Sequence, residues 1–250
     1  MFRRWRNPLV VPPSVCSVYS VVKPFLSDRH LKVELPFTMK IPHLLRAACA
    51  VLCLLALPIS GLAGTPLICN PYAIGDAATL PGGNWKGASP SYDRSNLVRD
   101  TLDLLKPETP VIVRMETLRR AAIYATANMR GWAKDSSYTA EDREIAGALL
   151  EKLRARVTAA PDLERNLALF DLGFFTETLR QTNLDPALDG YDLLLKVAEL
   201  RPKDADVQFA LALASSWPKR RDYSAHLAQA TAGAKPGTLL ATNLRTHFQR

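Results

Sequence analysis

From Ser95 onward, large apolar residues recur three and four positions apart, the spacing of one face of an α-helix. The stretch NLVRDTLDLL carries Leu97, Val98, Leu102 and Leu105 on one side, with Ser95 placed to cap it and Lys106-Pro107 to end it. Thr109 is placed to cap a second helix. Pro110 would take its first position, where a missing N–H costs nothing. Val111, Met115, Leu118, Ala122, Ala125 and Met129 form the stripe of that helix, Trp132 extends the series, and Gly131 is its stop signal. Thr139 opens a third helix, with Glu141 and Asp142 in the first turn, where carboxylates suit the helix dipole. Ile145, Leu149, Leu150, Leu153 and Val157 form its apolar face. Pro161 starts a fourth, with Leu163, Leu167, Phe170, Phe174 and Leu179 inward, and Asp185-Pro186 starts the next element.

Residues 191–214 read as two short helices joined at Arg201-Pro202, a hairpin around which the rest is arranged. Leu195, Ala198, Leu211 and Ala214 are expected inside it. Residues 217–221 form a loop, and two last helices cover 223–232 and 238–248, parted by Lys235-Pro236-Gly237. Strand signals are weak throughout, and connections of roughly 4 to 8 residues imply antiparallel neighbours. The expected fold class is all-α: antiparallel helix hairpins, as a solenoid or an irregular bundle.

The stretch before the helices has another character. Residues 64–95 are rich in Pro, Gly, Asn and Ser, so turns dominate, yet they hold Leu67, Ile68, Tyr72, Ile74, Leu80 and Trp85. A disordered linker would not keep so many large apolar groups. The expectation is an ordered non-helical strap docked on the Val111-to-Trp132 stripe, with Tyr72 and Trp85 as anchors.

Charge first suggests, then loses, a nucleic-acid partner. The 250 residues carry a formal charge of +8. A secretory signal is readable over residues 39–63: Met39, Lys40 and Arg46 supply positive charge, residues 47–57 a short apolar core, Pro58 a break, and Gly61-Leu62-Ala63 a cleavage site. That core is far shorter than the roughly 20 residues of a membrane-spanning helix. Residues 1–38 have many prolines and no periodicity, so Met39 is taken as the true start and 1–38 as an upstream extension. The chain after Ala63 carries 24 Lys and Arg against 22 Asp and Glu. So small an excess provides no field for phosphate. The expected organisation is 1–38 extension, 39–63 signal peptide, 64–95 strap and 96–250 helical domain. The expected location is periplasmic or secreted, with no nucleic-acid partner and no stable membrane anchor after cleavage. Only Cys69 follows the cleavage site, so no internal disulfide is available.

KVAELRPKDADVQFALALA resembles the junction of two tetratricopeptide repeats: the end of one helix B, a proline, then the next helix A. Lys196, Leu200 and Pro202 fall where that pattern has lysine, leucine and proline, and Leu211-Ala212 fall at its Leu-Gly position. Leu172-Gly173-Phe174-Phe175 and Arg221-Asp222-Tyr223 are similar to the helix A signature and the Gly-Asp-Tyr turn. Val197 replaces the usual alanine, and the spacing from Gly173 to Lys196 exceeds the repeat. The likeness covers residues 163–248. It implies paired helices and a protein- or peptide-binding surface, and names no ligand.

Catalytic and metal signatures do not survive inspection. His226 and His247 lie far apart, without a neighbouring cysteine, and His226 reads as a partly exposed helix residue. Ser216-Trp217-Pro218-Lys219 matches S-x-x-K, but Pro218 breaks the helix that pattern needs, and its partner motifs are missing. Asp185, Asp189 and Asp192 lack calcium-loop spacing and suit a helix N-terminus. Cys69 has no recognisable base to activate it. No cofactor motif is present. Arg114, Arg119 and Arg120 crowd one helix with Glu116. They read either as local i,i+3 and i,i+4 pairs or as an arginine-lined groove for an acidic peptide or glycan. The expected function is an exported, non-enzymatic interaction protein whose helical surface binds a protein or peptide partner. One alternative is an enzyme or small-ligand binder with its site between the strap (Cys69, Tyr72, Asp76, Trp85) and the helices. Another is a structural subunit of an envelope complex.

Overall fold

The computed structural model describes residues 67–82, 88–127, 138–182, 184, 187–216 and 220–248. Those residues form eight α-helices and no strand: α1 Leu97–Leu104, α2 Val111–Ala125, α3 Ala140–Ala159, α4 Asp162–Gln181, α5 Gly190–Leu200, α6 Ala205–Ser216, α7 Tyr223–Gly233 and α8 Leu239–Phe248. Residues 1–63, Trp85, Met129, Gly131, Trp132, Asp185-Pro186 and the turn 217–219 lie outside the described residues.

Local chemistry sets most helix starts, in places differently from the sequence expectation. A 3-10 turn, Arg94–Asn96, precedes α1, and its cap is Asp93, whose carboxylate accepts from the Ser95 N–H; Ser95 lies inside the turn rather than capping. Thr109 closes α1 instead of opening α2: its hydroxyl donates to Leu104 O at 2.9 Å and accepts from the Lys106 N–H at 3.2 Å. Pro110 is the α2 N-cap. α3 opens with a capping box between Thr139 and Asp142. Asp189 caps α5, accepting from the N–H groups of Tyr191 and Asp192.

The core is built around α2. Thirteen of its fifteen residues are buried, so it is enclosed on all sides rather than along one stripe. It packs on α1, α3, α4 and α6. Among the C-terminal helices the most extensive contacts are α4 with α5 and α6 with α7; α5 and α6, the pair expected at the centre, share a smaller interface. Leu211 and Ala214 are fully buried there, but Leu194 and Val197 take the inward side of α5, leaving Leu195 and Ala198 half-buried. Glycine sets the closest approach. A Cβ on Gly190 would lie 2.3 Å from the Glu177 nitrogen and 2.5 Å from the Gly173 oxygen, so α4 and α5 touch backbone to backbone. Gly173 in turn faces Leu193, which makes the pair antiparallel. Gly233 at the end of α7 meets Ala205 at the start of α6, so that pair is antiparallel too.

Residues 67–82 run without regular structure over α2 and touch α4 and α8 as well. Gln181 of α4 accepts from the Leu67 N–H at 2.8 Å, and Arg119 of α2 donates to Ile68 O at 2.9 Å. Glu116 accepts from the Tyr72 N–H at 2.9 Å. Asn243 of α8 holds both the N–H and the carbonyl of Ala73. Arg120 and Tyr124 donate to the carbonyls of Leu80 and Pro81. Leu67, Ile68, Tyr72 and Leu80 are buried beneath this lattice. A segment with no ladder of its own must satisfy its backbone elsewhere, and here the partners are side chains of α2, α4 and α8.

Candidate functional site

A cleft of about 250 Å³, half-open to solvent, lies where the α1–α2 turn meets the α3–α4 turn. Pro107 contributes one wall, and Ala159, Ala160, Pro161, Leu167 and Ala168 contribute the apolar remainder. Arg114 of α2 and Arg156 of α3 enter it, and Glu164 stands exposed on α4.

The two arginines are held differently. The Arg114 side chain is 1% exposed, and each of its three nitrogens donates a hydrogen bond. Its Nε donates to Thr109 O at 2.9 Å, Nη1 to Asp171 Oδ2 at 2.7 Å, and Nη2 to Lys106 O. It therefore fixes the α1–α2 turn against α4. Arg156 is one-third exposed. Its Nη2 donates to Leu105 O at 2.6 Å, while Nη1 stands 3.7 Å from Asp171 Oδ2 and makes no hydrogen bond. Asp171 is fully buried, and its Oδ1 also has no hydrogen-bond partner. Burial pushes the Asp171 carboxyl up to about 6, against the opposing pull of Arg114 and Arg156. The cleft and the cluster behind it hold two guanidinium groups, Arg114 and Arg156, and two carboxylates, buried Asp171 and exposed Glu164. Its size suits a single side chain better than a drug-sized molecule, for which roughly 300 to 1,000 Å³ is usual.

The arginines of α2 do not form a common groove. Arg114 belongs to this cleft. Arg119, also 1% exposed, turns to residues 67–82 and pairs with Glu116 through Nε at 2.8 Å and Nη2 at 2.9 Å. Arg120 donates to the same carboxylate at 2.6 Å. These are the local i,i+3 and i,i+4 pairs, enclosed rather than on the surface. Tyr72 is buried, stacked on His247 with ring centroids 5.0 Å apart and edge-on to Phe174 and Phe209. Burial holds its hydroxyl well above the usual tyrosine range. Of the other residues of the expected strap site, Cys69 is half-buried and Asp76 is exposed, and Trp85 lies outside the described residues.

His226 is buried, contrary to the expectation of a partly exposed residue. Its Nε2 lies 3.2 Å from the Tyr191 hydroxyl, which donates to Asp222 Oδ2 at 2.6 Å, and its Nδ1 lies 2.8 Å from Gln208 Oε1. Burial holds the imidazole below its ordinary value, opposed by Asp222. The network ties together α5, α6 and α7.

Sequence reasoning missed Arg156 and Asp171. Asp171 carried a signal: it is the lone charge within LALFDLGFF, and an acid inside an apolar run needs a cation from elsewhere. Among the described residues no group of three His, Cys, Asp or Glu side chains is placed to hold a metal, and no helix is long and apolar enough to cross a membrane. No protein-family model, curated protein or solved structure matches the chain.

Proposed function

We propose that this is an exported, non-enzymatic interaction protein, periplasmic or secreted, that binds an acidic segment of a protein partner in the cleft between the α1–α2 and α3–α4 turns. One observation carries the reading: the one-third-exposed Arg156 side chain lines an apolar cleft whose other arginine, Arg114, is fully enclosed. Guanidinium groups bind carboxylates through short, charge-assisted hydrogen bonds, and these gain strength where water is excluded. The apolar walls would receive the aliphatic part of the incoming residue. The α1–α2 and α3–α4 turns support the reading by bringing four helix ends around the cleft. The export part rests on residues 39–63.

Panning a displayed random-peptide library on the full-length protein tests this. Enriched peptides should share an acidic residue next to an apolar one and should lose binding to Ala159→Trp. Ala159 is an exposed wall residue, so that change fills the cleft without entering the core. No enrichment, or enriched peptides that bind A159W equally well, would overturn the proposal.

A further inference from the structure

Residues 67–82 lie on the helices as an extended peptide lies on a receptor. Such peptides are held through their main chain, while pockets for chosen side chains supply specificity. Gln181, Arg119, Glu116 and Asn243 bind main-chain groups of Leu67, Ile68, Tyr72 and Ala73, and Asn243 takes both the N–H and the carbonyl of Ala73. The Tyr72 ring is the anchor: His247 stacks on it, and Phe174 and Phe209 meet it edge-on. None of these side chains lines the cleft between the turns.

The receiving side chains are oriented without help from residues 67–82. Glu116 is fixed by Arg119 and Arg120 of its own helix, through bonds of 2.6 to 2.9 Å. Gln181 Nε2 donates to Glu177 Oε1 at 3.0 Å, and both Glu177 oxygens accept from Arg180. Asn243 Nδ2 donates to Leu239 O at 2.9 Å as well as to Ala73 O. Each of these orienting bonds lies within a single helix, so lifting the segment away leaves them in place. A groove whose polar groups are already aimed loses little to reorganisation when a chain enters it.

We infer that the surface formed by α2, α4, α6 and α8 is a preformed receptor for an extended, tyrosine-bearing segment, and that residues 67–82 of a second copy of this chain dock there in trans. A second copy is the occupant because its fit is already on view: the same residues fill the same pockets whichever chain supplies them. An element exchanged between identical chains needs no new interface. The chain's own segment competes at an effective concentration of about millimolar. Exchange between copies therefore shows when the own segment is weakened or displaced.

Two full-length variants test this. Tyr72→Ala keeps the groove and loses the anchor; Asn243→Ala keeps the anchor and loses the clamp on Ala73. Each alone should run as a monomer in size-exclusion chromatography with light scattering. Mixed, they should give a mixed dimer in native mass spectrometry, because the intact segment of one meets the intact groove of the other. A labelled synthetic peptide of residues 66–82 should bind Y72A saturably, and roughly 10-fold or more weakly when the peptide itself carries Tyr72→Ala. With both variants folded by circular dichroism, absence of the mixed dimer, or peptide binding indifferent to Tyr72, would overturn the inference. If either variant does not fold, the test passes to the unsubstituted sequence with a protease site inserted after Gly83. Once cut there, the protein should exchange its own segment for the labelled peptide, and failure to exchange would overturn the inference as well.

Discussion

Replacing Glu116 by alanine is the sharpest perturbation this fold offers. Its carboxylate has no solvent exposure and accepts four hydrogen bonds: two from Arg119, one from Arg120 and one from the Tyr72 N–H. Arg120 is partly exposed and can turn to solvent. Arg119 cannot. It keeps its bond to Ile68 O but loses the carboxylate that pairs it through two hydrogen bonds, a change that costs roughly 3 to 5 kcal/mol. The Tyr72 N–H also loses its acceptor, at about 1 to 3 kcal/mol for a buried group. The two losses share one cavity, into which water can enter, so they do not add fully, and about 4 to 6 kcal/mol is expected. A domain of ordinary stability, roughly 5 to 15 kcal/mol, would be left marginal. Urea unfolding followed by far-ultraviolet circular dichroism measures the loss, and limited proteolysis should show residues 67–82 cut first. The double change Glu116→Leu with Arg119→Met should recover most of the loss, because it removes the stranded charge with its partner. A loss under about 1 kcal/mol for E116A would refute the reasoning, since exposed pairs are worth that much and no more.

Four further outcomes follow from the same geometry. Deleting residues 64–91 should lower stability and expose apolar surface to a hydrophobic dye while helix content largely persists; an unchanged melting temperature without dye binding would contradict the contacts of Tyr72 and Leu80. Gly190→Ala should destabilise by at least roughly 1 to 3 kcal/mol, because the atoms a Cβ would meet are backbone and cannot turn aside; an unchanged urea midpoint would count against the α4–α5 contact. His226 should titrate by NMR below its usual value of about 6.5. A histidine with a depressed folded pKa lends stability that is present above the unfolded value and lost as pH falls through the folded one. The stability difference between the unsubstituted protein and His226→Gln should therefore shrink on acidification; comparing the pair cancels Asp171 and Asp206, whose raised carboxyls act in the opposite sense. N-terminal sequencing of the exported protein should find a start at or near Gly64; an intact 47–57 segment on the stable product would exclude cleavage there.

The helices were legible because their periodicity is strong, and their ends were less so. Ser95 and Thr109 are both good cap residues, but which nitrogen each serves depended on the path of the neighbouring backbone. That path let Asp93 cap in place of Ser95 and turned Thr109 back onto α1. On α5 the inward face lay one residue away from the expected one, at Leu194 and Val197, because the close contact of Gly190 with α4 sets its rotation. The cleft was not legible as a pair. Arg156 and Asp171 sit on different helices, and nothing local in either stretch names the other.

The segment RMETLRR also explains how α2 works. Read locally, it is a run of i,i+3 and i,i+4 pairs; in the fold the Glu116–Arg119 and Glu116–Arg120 pairs form, with Arg114, Glu116 and Arg119 all enclosed. Arg114 and Glu116 are two residues apart, about 200° around a helix, so they address opposite neighbours: the α1–α2 turn and α4 on one side, residues 67–82 on the other. Buried ion pairs are a weak source of stability, since apolar residues of similar size often do as well. Their consequence here is positional. Arg114 meets three fixed acceptors, and Glu116 meets three donor groups, of which the Tyr72 N–H lies off the helix. Turning α2 by one residue, about 100°, would strand Arg114, and although Arg119 and Arg120 would turn with Glu116, it would take Glu116 from the Tyr72 N–H and Arg119 from Ile68 O. An apolar helix buried on all sides would tolerate that slip far better. The charges therefore set the rotation of the central helix, and through Arg114 they set the floor of the cleft.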